Sequence, residues 1–145
     1  MLKTLKTFVL CVLLLSMFFT LQTSLSNLLW LDSIQMPVDL ATIFSVIAAD
    51  FLGMNSGIVP LYLLLSVALA PAFIIARLVL TRVKSDPNIL YIFAGMVAIT
   101  LMLFLMPLAF FNLEFIAGAR SLGGKLSLIL GGGLVSLLFS YRMRA

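Results

Sequence analysis

With 145 residues, 63% of them hydrophobic and only 10% charged, the chain has too little polar surface to enclose a soluble core. Its net charge of +4, nine basic residues against five acidic, is spread along the sequence and makes no dense patch of the kind nucleic acid requires. It has no histidine, which excludes His-based metal sites and imidazole relays. Its one cysteine, Cys11, excludes any disulfide within the chain.

Four runs without a charged residue set the plan: 7–31, 51–76, 87–113 and 126–141, of 25, 26, 27 and 16 residues. A hydrocarbon core about 30 Å thick takes roughly 20 apolar residues to cross as a helix. The first three runs are long enough. The fourth crosses if Lys125 and Arg142 at its ends snorkel to the interfaces. Backbone groups in lipid must pair within the protein, which leaves helices or a closed barrel. Continuous apolar stretches such as 61–65 lack the alternation of a barrel strand. The expected fold class is therefore an all-α membrane protein: four transmembrane helices with an amphipathic interfacial helix between helices 1 and 2. A single membrane domain covers 1–145.

In chain order, the first span is expected at about 7–30. Lys3, Lys6, the apolar stretch 8–19 and Ser24–Ser26 have the three parts of a signal peptide. The uncharged run continues past them to Trp30, an interface anchor, which favours a retained span. Gln22, Thr23, Ser24, Ser26 and Asn27 form its polar outer end. Pro37 and Asp39 then open a helix over 39–52, with Gly53 as its stop. On a wheel, Leu40, Ile43, Phe44, Ile47 and Phe51 share one arc, and Asp39 and Asp50 lie within about 20° of each other on the opposite one. Such a helix belongs on the outer face, its apolar side toward lipid or toward the other helices.

The second span is expected at about 58–80, with Pro60 in its first turn and Pro71 kinking its middle. Ala68, Ala72 and Ala76 make a small-residue ridge along it, the pattern that lets membrane helices approach closely. A short turn through Asp86 and Pro87 leads to the third span, about 89–111, and 112–125 is expected to be irregular. The fourth span, about 126–141, carries Ser127, Gly131, Gly132, Ser136 and Ser140 at small-residue spacings. Three consecutive glycines, 131–133, cost a lone helix roughly 1 kcal/mol each against alanine, so a neighbour must pack on them. That face of helix 4 serves either packing within the chain or a homo- or hetero-oligomer.

Seven basic residues (3, 6, 77, 82, 84, 142 and 144) fall on one side of these spans, and only Arg120 and Lys125 on the other. By the positive-inside rule both termini are expected in the cytoplasm, and short loops with basic ends suit a bacterial inner membrane. The segment from Ala119 to Lys125 has the look of a phosphate-binding loop but fails it. Ala119 stands at the first glycine position, and Leu126 stands where a Ser or Thr would hold magnesium. No charge lies at the middle of a span, where it would mark a site by default. Asp39, Asp50, Glu114 and Arg120 remain as a candidate polar site on the outer face. No catalytic residue, cofactor or metal is expected. Membrane lipids are the expected surroundings and nucleic acid is not a partner. The functional expectation is a non-enzymatic accessory, assembly or scaffold subunit, the alternative being a small transporter or channel component for an apolar or lipid-like solute.

Overall fold

The computed structural model describes residues 2–56, 60–109 and 116–144. Five α-helices run in order: α1 Leu2–Ser33, α2 Leu40–Ser56, α3 Leu61–Arg82, α4 Pro87–Ala109 and α5 Leu122–Arg144. A 3-10 turn, Ala117–Ala119, precedes α5. Helices α1, α3, α4 and α5 are long and apolar enough to cross a membrane, and the shorter apolar α2 lies between the first two of them. The chain is an integral membrane protein, with no strand among the described residues.

Local chemistry explains where the helices start and stop. The C-terminus of α1 closes with Met36 N–H on Leu31 O (3.2 Å) and Gln35 N–H on Asp32 O (2.9 Å), Gln35 taking the left-handed conformation at φ 58°. Asp39 caps α2: its carboxylate accepts the Thr42 N–H at 2.8 Å and the Thr42 hydroxyl at 2.5 Å. Those bonds hold the Asp39 carboxyl below its ordinary 3.8. A depressed pKa means the cap stabilises the helix start above about that pH and is lost as pH falls through the lowered value. Amide exchange at Ala41 and Thr42 should therefore speed up on acidification below 3.8, and Asp39→Asn should remove the pH dependence.

Helix α2 does not stop at Gly53 but runs to Ser56. The Asn55 amide donates to Phe51 O (2.9 Å) and the Ser56 hydroxyl to Leu52 O, which carries the last turn past the glycine. Helix α3 is continuous through Pro71, and Pro60 stands just before its first residue. At the other end of the chain α5 begins earlier than the uncharged run, at Leu122. The Gly124 N–H is held there by the Ser121 hydroxyl at 3.0 Å.

Helices α1, α3, α4 and α5 pack most extensively in the cycle α1–α3–α4–α5–α1. An aromatic group fixes their register at one end. The Phe73 ring lies edge-on to Phe8 (6.1 Å between centroids) and to Tyr91 (5.6 Å), and stacks on Phe139 (4.5 Å). Glycine fixes the α4–α5 seam. A Cβ on Gly132 would meet Ile99 Cγ1 at 2.5 Å, and one on Gly95 would overlap the Ser136 hydroxyl and approach Gly132 O to 2.6 Å. Phe18 of α1 packs on Gly131, and Met96 on Gly133. The whole 131–133 glycine run is buried against neighbours in the same chain.

The buried face of α1 is its more polar face, carrying Thr7, Ser16, Thr20, Thr23 and Ser24 beside Cys11, Val12, Leu15 and Phe19. Leu2, Leu5, Val9, Leu13, Leu21 and Leu25 point outward. Lipid solvates these as well as a protein interior does, so apolar character does not mark the inside and small or hydroxyl-bearing residues do.

Candidate functional site

Ser16, Thr20, Thr23, Ser24 and Asn27 fall within about a 100° arc of α1, a polar stripe along its upper half. Helix α2 lies against that stripe. The Ser24 hydroxyl donates to Asp50 Oδ2 at 2.9 Å, and Asn27 Nδ2 donates to both Asp50 oxygens at 3.2 and 3.0 Å. Further along, the Ser16 hydroxyl donates to Asn55 Oδ1 at 3.3 Å. The order of these contacts shows α2 running antiparallel to α1. The Phe8–Phe73 contact places α3 beside the early part of α1. From Asn27 to Ser16 the seam covers 11 residues, about 16 Å along α1, and it reaches the middle of that helix.

The seam has loose ends. Thr20 spends its hydroxyl on Ser16 O (3.0 Å), but the Thr23 hydroxyl is buried with no hydrogen-bond partner among the described residues. Gln22 sits beside the stripe. Its Nε2 donates to Gly118 O (3.3 Å) and Gly124 O (3.2 Å), tying the 3-10 turn and the start of α5 to α1, while its Oε1 is buried and unpaired among the described residues. The donors on Asp50, Ser24 and Asn27, are both neutral. These bonds make a docking contact for α2.

The other residues singled out from sequence are dispersed. Asp39 caps its own helix and is exposed, about 16 Å along α2 from Asp50. Arg120 is exposed in the turn before α5, and Glu114 lies outside the described residues. Of the small residues, Ser127 donates to Gly124 O, Ser136 to Gly132 O, and Ser140 to Asn88 Oδ1 at 2.8 Å. Asn55 was not visible as a site residue, since its position reads as a loop. The recurrence of hydroxyls along α1 was the available signal that a polar partner packs there.

The second feature is a groove of about 700 Å³ between α3 and α4. Ala68, Pro71 and Ala72 line one wall and Ala94, Val97 and Ala98 the other. It extends from Leu64 to Val79 on α3, about 22 Å, and its lining side chains are all apolar. Ala76, the third residue of the alanine ridge, is buried at its edge. Pro71 has no N–H to give the Val67 carbonyl, so one backbone acceptor on this wall lacks its usual helical partner.

Among the described residues no three His, Cys, Asp or Glu side chains gather to hold a metal ion. The fold defines a class, the helical membrane proteins with four helices long and apolar enough to span. No protein-family model, curated protein or solved structure matches the chain.

Proposed function

We propose that the chain is a non-enzymatic accessory subunit, an assembly or scaffold element of a bacterial inner membrane with both termini in the cytoplasm. The observation that supports it is a division of labour. Polar side chains and glycines are used to fasten α1, α2, α4 and α5 to one another, while an alanine-lined groove is left open between α3 and α4. Alanines at the surface of a membrane helix let a second helix come close, and van der Waals contact then holds the pair. Short connections and basic residues at 3, 6, 77, 82, 84, 142 and 144 support the orientation.

The test is purification of a tagged chain in mild detergent, with native mass and co-purifying proteins read together. A larger membrane protein in fixed ratio is expected, and Ala72→Leu with Ala94→Leu, which fills the groove from both walls, should lower its recovery several-fold. A chain that purifies alone and moves solute in liposomes would overturn the proposal. It would support the second reading, a small transporter or channel component for an apolar or lipid-like solute. The shape and apolar lining of the groove favour that reading. There, Asp50→Asn should alter the rate or its ion dependence.

A further inference from the structure

We propose that the end of the helices where α1 begins and α5 finishes binds the phosphate headgroup of an anionic phospholipid. A cavity of about 610 Å³ opens there, lined by Leu2, Lys3, Lys6, Thr7 and Arg142. Lys3, Lys6 and Thr7 are three and four residues apart on α1, so they share a face. Arg142 comes from α5 on the other side. Among the described residues three cations and no carboxylate line the space. Their mutual repulsion is relieved by an anion, and a guanidinium with two ammonium groups suits phosphate oxygens.

Two further observations point the same way. Thr7 is only 4% exposed and stands at the cavity wall, where its hydroxyl adds a neutral donor. The first turn of α1 carries no acidic residue, so the positive end of its helix dipole adds to the field of the cations. A cavity this size accepts more than a bare phosphate.

A lipid is favoured over a free anion because of what adjoins the cavity. Leu2, Leu5, Val9 and Leu13 are 67, 60, 47 and 53% exposed and follow one another at helical spacing up the outside of α1. They make an apolar track about 16 Å long that starts at the cations. A phospholipid satisfies both at once, headgroup on the cations and acyl chain on the track. Basic pockets between membrane helices at this depth select anionic headgroups by the same physics. The inference is independent of the accessory reading, because it concerns the opposite side of the helices from the groove's occupant.

The experiment is native mass spectrometry of the full chain in mild detergent with phosphatidylglycerol and phosphatidylcholine supplied in equal amounts. Preferential retention of phosphatidylglycerol is expected. Lys6→Ala with Arg142→Ala, both exposed positions, should lower it about thirtyfold. Arg82→Ala with Lys84→Ala removes the same charge at the same end and should change it less than about threefold. Equal retention of the two lipids overturns the proposal, as does equal loss in the two double variants, which is bulk surface attraction. Inorganic phosphate that displaces phosphatidylglycerol completely marks a free-anion site and overturns the lipid assignment. Should the first double variant fail to fold, thermal stabilisation of the unaltered chain by phosphatidylglycerol over phosphatidylcholine decides the matter.

Discussion

Gly95→Ala is expected to destabilise the folded chain by roughly 1 kcal/mol, although alanine is the better helix former. The added Cβ would overlap the Ser136 hydroxyl and lie 2.6 Å from the backbone oxygen of Gly132. Ser136 can rotate only by giving up its own bond to Gly132 O at 2.7 Å. The backbone oxygen cannot rotate at all, so α4 and α5 must separate along their closest seam. Overpacking of this kind costs about 1–3 kcal/mol, and the helix-forming gain of about 1 kcal/mol offsets part of it. Gly53→Ala is the internal control. Nothing lies within 4 Å of a Cβ there, so the same substitution inside α2 should be neutral or stabilising by up to about 1 kcal/mol. Detergent-unfolding midpoints of the two variants should move in opposite directions. Equal shifts would mean that the α4–α5 seam is looser than described.

Asp50→Ala should release α2 from α1. The change removes the acceptor for three hydrogen-bond contacts and leaves the Ser24 hydroxyl and Asn27 amide facing each other without it. Unpairing groups of this sort costs about 1–3 kcal/mol. Little else would hold the helix, because α2 has no fully buried residue. Local opening is the expected consequence, seen as faster amide exchange and faster proteolysis in α2 while α4 and α5 keep their protection. Asp50→Asn keeps one oxygen acceptor and should lose much less. If Asp50→Ala left α2 as protected as before, apolar contacts from Ile43, Val46 and Ile47 would have to be the true fastening.

The contrast between these sites shows what could be read in advance. The four spans were legible because charge is a categorical signal. A helix crossing lipid tolerates almost none, and a soluble helix rarely goes without it for 25, 26 or 27 residues. Pro37 and Asp39 likewise marked the start of α2. Its orientation was harder to read, since periodicity fixes an apolar arc without saying what that arc meets. In the structure Leu40, Phe44 and Phe51 of that arc are exposed, while Ile43 and Ile47 are half-buried beside Asp50. In a membrane the apolar side can face outward and the carboxylate inward, the reverse of a soluble helix. The pairing of Gly95 with Gly132 was out of reach for a different reason. Sequence shows that a glycine needs a close neighbour but not which of several helices supplies it.

The length of α1 carries a consequence for the kind of membrane the chain fits. Its charge-free run of 25 residues is about 38 Å long as a helix. A thin bilayer, about 27 Å across its hydrocarbon, leaves some 10 Å of that run to be absorbed by tilt or by local thickening. A bilayer of about 33 Å leaves half as much. Tilting α1 alone is resisted, because α2, α3 and α5 are all packed along it. The mismatch therefore falls on the surrounding lipid, and the chain should partition toward the thicker regions of whatever bilayer contains it.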